Sequence, residues 1–476
     1  MVSACTPEPE PVETARIYTT SADRSRLLDK TTVEVNPPAR ADATVRVDLS
    51  QQRQQILGVG AALTESSAHL IGSLPETDRA ALLTNLFRPS GGGGIRVLRI
   101  ALGASDFVVG EAYTYADSPD ARDDWGLEYF SLERDEREII PVLREILALR
   151  PDLTIIASPW SAPAWMKDNR SLVGGALRDE DGVRDAYARY LLRAVQEYTE
   201  AGIPIAALTV QNEPQARTPD GYPGMDMPVE VATSVINRLA PLLREQGLGT
   251  LLLGFDHNWQ LHPADVATTP SGRDPEYDYP FDLMTGDAGG ELAGIAYHCY
   301  FGDPSAQQRF LNRFPHSTVW VTECSGSFGA DDTDAQVFAD TLRFQASTVL
   351  IGGFSFGATA VLTWNLALDA EGGPHRGGCE RCTGVVTIDE DEVTHNAEFY
   401  ALSHVFRFIR SGAVRVNSAI TGADVVAFAA ANTSGQAVVM ATNTGESAQV
   451  VTVEVGGTTA THTMERGDVA TFVFDR

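Results

Sequence analysis

Lysine is almost missing from this chain: Lys30 and Lys167 are the only two among 476 residues, and the other cations are arginines. Positive charge as a whole is scarce, with 36 Lys plus Arg against 64 Asp plus Glu for a net charge of −28. A field of that sign repels phosphate backbones and anionic lipid, so nucleic acid and an electrostatically docked membrane are not expected partners. No run is long and apolar enough to span a bilayer as a helix. Cysteine is rare as well. Cys5, Cys299, Cys324, Cys379 and Cys382 form an odd, scattered set, which is no disulfide framework. Cys379 and Cys382 make a single CxxC within GGCERCTG, and one CxxC cannot supply four zinc ligands. A disulfide closing that loop and two idle thiols both remain open. Cys299 and Cys324 stand at expected strand ends, where they read as small buried apolar residues.

Other absences narrow the chemistry. There is no GxSxG for a serine hydrolase, CSGSFG near 324 being a partial imitation, and no HExxH for a metalloenzyme. His298 has no second ligand at such a spacing, so neither metal nor cofactor is expected. GVGAAL (58–63) lacks the third glycine of a dinucleotide turn. The opening MVSACTPEPEPVE has no apolar h-region. As written, that gives no secretory signal and a cytoplasmic default. VSAC also looks like the tail of a lipoprotein signal, with Cys5 lipidated ahead of a Pro/Glu tether, which would make the protein secreted or lipid-anchored. Residues 1–13 read as a disordered tail.

What is present is a regular alternation of strand and helix. Eight short segments rich in apolar and β-branched residues begin with ILGVGAAL (56–63), IRVLRIAL (95–102), LTIIASPW (153–160) and IAALTVQN (205–212). TLLLGFDH (250–257), GIAYHCYF (294–301), TVWVTECS (318–325) and AVLTWNLA (360–367) complete them. Amphipathic stretches such as 137–149 and 186–201 lie between. Eight βα units argue for an α/β fold of the (β/α)8 TIM-barrel type over residues 52–410. Residues 14–51 and 411–476 instead alternate short strands with Asn/Gly/Ser turns. They are expected to join as one antiparallel β-sandwich built from both chain ends. No cluster of Trp or Tyr marks 412–476 as a sugar-binding module, so packing against the barrel is its expected duty.

In such a barrel, functional residues gather at the carboxyl ends of the strands. Asp106, Trp160, Trp165, Asn212, Glu213, His298, Tyr300, Glu323, Trp364 and Asn365 all fall there. A lone strand-end Glu is usually a solvated or capping residue, and a lone Trp is usually core. Their convergence on one rim is what points to function. Two carboxylates beside aromatics and amides suit glycoside hydrolysis, one protonating the departing oxygen and the other attacking the anomeric centre.

GVGAALTESSA, LRIALGASDF followed by YTYAD, ASPWSAPAWMK, LTVQNEP, GIAYHCY, VTECSG and TWNLALDAEGGP occur in this order. They resemble glycoside hydrolase family 30, most closely its glucosylceramidase (acid β-glucosidase) branch. The resemblance implies a retaining β-glycosidase that hydrolyses β-D-glucosidic bonds through a covalent glycosyl-enzyme. Glu213 would be the acid/base and Glu323 the nucleophile, with carboxyls about 5–5.5 Å apart. On that basis burial and the neighbouring anion should raise the pKa of Glu213, while Glu323 stays ionised. The resemblance also implies that Asp106, Trp160, Trp364 and Asn365 hold the nonreducing glucose and that Asn212 touches its 2-hydroxyl. Tyr300 would bond near the nucleophile, with His298 shaping the pocket. Arg99 would pair with the nucleophile region or hold strands together as an internal ion pair. Tyr222 would face the leaving group or anchor its loop. TECSG and the segment 371–388 depart from the animal glucosylceramidases and put acceptor specificity in question. Other branches of the family cleave β-1,6-glucan, β-xylosides or β-fucosides, which makes endo-β-1,6-glucanase the alternative. A β-linked glucoside or glucan is the expected partner. A non-catalytic sugar-binding protein is the competing class, and the presence of both carboxylates speaks against it.

Overall fold

The computed structural model describes residues 14–36, 40–88 and 94–475. The tail at 1–13 and the Cys5 motif lie outside the described residues. Eight parallel strands close into a barrel in chain order: Gly58–Ala62, Val97–Leu102, Thr154–Pro159, Ala207–Thr209, Leu251–Asn258, Leu292–His298, Thr318–Glu323 and Ala358–Asn365. The eighth pairs back onto the first, with Val361 opposite Val59. All eight overlap the expected segments. Val97–Leu102 is buried along its whole length, as a strand covered on both faces must be. The covering helices are amphipathic: Ile139–Leu149 buries Ile139, Leu143 and Ile146, and Asp181–Glu200 buries Tyr187, Leu191 and Val195.

Side chains fill the barrel in layers. Val97, Ile156, Ala207, Leu253, Ala296, Trp320 and Leu362 form one apolar layer. Alternation along each strand brings the residue two positions on to the same inward face, namely Arg99, Ser158, Thr209, His298, Thr322 and Trp364. A dry floor therefore carries a largely polar layer above it. Strand five breaks step at this height. Its register against strand six shifts between Phe255 and His257, and Phe255 and Asp256 take φ values of 72° and 64°. This bulge sets Asp256 into the polar layer.

The chain ends form a nine-stranded sheet, which wraps around its own core of Ile17, Val45, Val439, Val451 and Phe472. Its pairs are antiparallel except Gln449–Val455 beside Ala43–Gln55, which is parallel. The face turned to the barrel contributes Phe428, Val438, Met440 and Val473 to the barrel's outer core. Helix Ala397–Phe406 lies between the two bodies, and its buried His404 meets Thr20 and Thr471 Oγ1, each at 2.9 Å. After barrel strand eight, Ala367–Leu368, Val386–Asp389 and Glu392–His395 make a small sheet, with the CxxC loop in the connection between its first two strands.

Candidate active site

Asp256 is the hub of the polar layer. Its Oδ2 accepts from Arg99 Nη2 at 2.9 Å, Ser158 Oγ at 2.7 Å and Thr209 Oγ1 at 2.8 Å. Its Oδ1 accepts from Thr322 Oγ1 at 2.6 Å and faces His298 Nε2 at 3.1 Å. The Arg99 guanidinium, fully buried, also bonds Glu323 Oε2 through Nη1 and Asn212 Oδ1 through Nη2, the latter at 2.7 Å. Its cation lies 4.7 Å from the Trp160 ring and 5.4 Å from that of Trp364, and these indoles stack 5.2 Å apart. Tyr300 donates its hydroxyl to Glu323 Oε1 at 2.9 Å.

Strand four is only three residues long, so the chain beyond it is held by its neighbours. The N–H of Asn212 bonds Pro159 O at 2.8 Å, and that of Glu213 bonds Asp256 O at 3.0 Å. Glu213 itself takes φ 46°, a left-handed conformation costly for a residue with a side chain. Its Oε1 lies 3.0 Å from His298 Nδ1 and 3.4 Å from His257 Nδ1. The second nitrogen of His257 faces Asp265 at 3.1 Å.

This packing sets the charges. Burial works against ionisation of Glu213, but the hydrogen bonds and charges of His257 and His298 outweigh it and hold the carboxyl well below its usual range. Burial lifts Glu323 above its usual value and the charge of Glu213 adds to this, against the pull of His298, Arg99 and Tyr300. His298 is pushed up to about 9, because the carboxylates of Glu323, Asp256 and Glu213 overcome the effect of burial. Burial and the charges of Glu323 and Glu213 push Asp106 up to about 8. These directions correct the expectation of a raised Glu213. Two imidazoles crowd its carboxylate, and in the sequence one of them lies 85 positions away.

A cleft of about 530 Å³ opens over this layer. Asp106, Glu213, Tyr222, Tyr300, Glu323 and Trp364 line it, together with Ser325–Ser327 and the CxxC loop. Trp160 lies against Trp364 just below, and Tyr222 and Cys379 pack on the same apolar cluster. Asn365 is fully buried, its Oδ1 accepting from Thr64. Trp165 belongs to the core instead, edge-on to Trp125, with its N–H on Ala116 O. Sequence reasoning assigned nothing from strand five. Asp256 and His257 were missed, although the polar Asp-His-Asn ending of LLLGFDHN was a readable signal.

One cysteine reading is decided and one changes. Cys379 and Cys382 are bonded to each other, the first of the two options left open, whereas Cys299 and Cys324, expected to be small buried residues, are also bonded to each other. Neighbouring strands six and seven end level with one another, so residues distant in sequence meet.

Glu213, His257 and His298 offer three ligand-type atoms within 4.8 Å, the one such group among the described residues. Asp265 and Asp256 face the far nitrogen of each ring, and with no cation present the surrounding carboxylates push both rings toward the protonated form. The group is an ion-pair network.

A rim of this make-up suits the cleavage of glycosidic bonds, the chemistry of the glycoside hydrolases. Comparison with known proteins agrees. Residues 56–409 match the Glycosyl hydrolase family 30 TIM-barrel domain, and residues 412–472 match the Glycosyl hydrolase family 30 beta sandwich domain. The chain belongs to glycosyl hydrolase family 30. It is 32% identical over 417 residues to an endo-1,6-beta-D-glucanase of Neurospora crassa, covering 85% of this chain and 79% of the relative. It is 29% identical over 407 residues to the lysosomal acid glucosylceramidase of Mus musculus, covering 82% and 75%. The solved structure of the endo-beta1,6-glucanase BT3312 superposes with a TM-score of 0.84 at 28% identity, over 98% of this chain and 100% of the other.

Proposed function

We propose that the protein is a retaining endo-β-1,6-glucanase, with Glu323 as nucleophile and Glu213, supplied by His298, as acid/base. The observation that carries this reading is a single cleft bearing both carboxylates, in a chain with greater identity to the fungal endo-1,6-β-glucanase than to the mouse glucosylceramidase. The sequence resemblance favoured the glucosylceramidase branch. The fungal relative favours the glucan, and the departures at TECSG and 371–388 put the acceptor side of the glucosylceramidase reading in question.

In the first step Glu323 forms a bond to the anomeric carbon as the bond from that carbon to the 6-oxygen breaks. Arg99 and Tyr300 hold the two carboxylate oxygens before attack. The leaving oxygen takes its proton from Glu213, which draws it from the Nδ1–H of His298. Asp256, on the far side of that ring, stabilises the imidazolium. In the second step water attacks the anomeric carbon and Glu323 leaves. The water's proton passes to Glu213 and back to His298. Two inversions give net retention. Asp106, neutral up to about pH 8, both donates to and accepts from sugar hydroxyls. Trp364, backed by the stacked Trp160, supplies an apolar wall for the sugar ring. Arg99 occupies Asn212 Oδ1 and so leaves the amide NH2 for a hydroxyl.

The test is a pair of variants. Glu323→Gln is expected to lose turnover and labelling by a 2-deoxy-2-fluoroglucosyl fluoride. Glu213→Gln is expected to lose roughly 100-fold or more on glucan but far less on aryl glucosides, whose leaving groups need no proton. Equal losses on both substrates would remove Glu213 from the acid/base role.

A further inference from the structure

The Cys299–Cys324 disulfide lies directly beside the reacting groups. Cys324 follows Glu323 in the chain, and Cys299 stands between His298 and Tyr300. The two Cα atoms are 5.3 Å apart, each one residue beyond the end of neighbouring barrel strands six and seven, and both residues are buried. Strand seven arrives with a register shift between Val321 and Glu323, and its last pairing with strand six is Glu323 opposite His298. The bulge lets Thr322 reach Asp256 while the next side chain, Glu323, reaches Arg99, which simple alternation would forbid. The irregularity also ends the ladder just where the nucleophile needs fixing. One residue further, at the place of the next rung, stands the disulfide. The Cys324 carbonyl in turn accepts from Thr363 Oγ1 at 2.6 Å and from the Trp364 N–H at 2.7 Å, so the bridge ties strand six to strand eight through strand seven.

Tyr300 is the group most dependent on this tie. It lies beyond the end of strand six, is 42% exposed, and reaches back to Glu323 Oε1. Its neighbour Cys299 is what couples that segment covalently to the nucleophile's own strand. We infer that Cys299 and Cys324 are positioning residues for the reaction: their crosslink holds the Tyr300 hydroxyl on Glu323 and so aims the attacking carboxylate. This rests on the reading of Glu323 as nucleophile.

The experiment first labels the wild-type enzyme with the 2-deoxy-2-fluoroglucosyl fluoride and maps the modified peptide. Label absent from Glu323 defeats the functional reading itself. With that established, three variants are compared: Cys299→Ala/Cys324→Ala, Tyr300→Phe, and the triple. The cysteine pair is expected to lower kcat and the labelling rate about 10- to 100-fold, the range of a hydrogen bond to a charged group, with KM changed less than about threefold. The triple variant is expected to be no slower than Tyr300→Phe, because both changes remove one interaction. A triple variant showing the product of the two losses overturns the proposal. So does a cysteine pair with wild-type kcat and only a lowered Tm. Should the pair not fold, the bridge is reduced in folded Cys379→Ser/Cys382→Ser protein, with and without Tyr300→Phe. Mass spectrometry counts the opened bonds. Equal relative losses of kcat in the two backgrounds overturn the proposal, and a loss confined to the Tyr300 background supports it.

Discussion

Arg99 sets the charge balance of the site. It is a buried cation shared among Glu323, Asp256 and Asn212 and faced by two indoles. A guanidinium can bond three groups at once because its donors spread in a fixed plane, whereas an ammonium is a point charge. Arg99→Lys is therefore expected to fold but to lose kcat/KM on the order of 100-fold. Glu323 already sits above the usual carboxylate pKa. Losing a donor raises it further, so the acidic limb of the pH–rate profile should move to higher pH. A profile with an unmoved acidic limb would assign Arg99 to strand holding alone. The sequence offered both readings of Arg99, and the geometry joins them in one side chain.

The working parts at the level of elements are irregularities. The barrel strands were legible because their apolar runs follow simple period and length rules. The bulges at Phe255–His257 and Val321–Glu323 were not, since a bulge changes which side chain faces inward without changing composition. Which strand-five residue faces inward was hidden for that reason, although the strand's polar Asp-His-Asn ending was readable. The loop after strand eight escaped detailed reading for another, because its packing depends on contacts made across the cleft. Gly378 has φ +66°, and a Cβ there would lie 2.6 Å from Asp106 Oδ2. The N–H of Arg376 also bonds Asp106 O at 2.7 Å. Gly378→Ala is expected to push the Asp106 carboxyl aside and to raise KM about 10-fold with a modest fall in Tm. Unchanged KM would free Asp106 from the sugar-binding role.

Across the whole molecule, the site's charges are also terms in its stability. His298 has its pKa raised from 6.5 to about 9 in the folded state. The folded state therefore binds its proton more tightly than the unfolded chain. This contribution is full below pH 6.5 and is lost as pH rises through about 9. The Tm should fall over that interval, and His298→Gln should flatten the fall. An equal slope in the variant would place the effect elsewhere. The net charge, the barrel and the two-ended second domain were all readable from patterns along the chain. The disulfide between Cys299 and Cys324 was not, because it requires knowing that two strands end side by side.

Retention and endo action are both tested by following the purified protein on a linear β-1,6-glucan by proton NMR, with product lengths read from the same samples. New reducing ends are expected to appear first as the β-anomer, and a spread of gluco-oligosaccharides is expected to precede free glucose. First appearance of the α-anomer, or release of glucose alone from chain ends, would contradict these expectations.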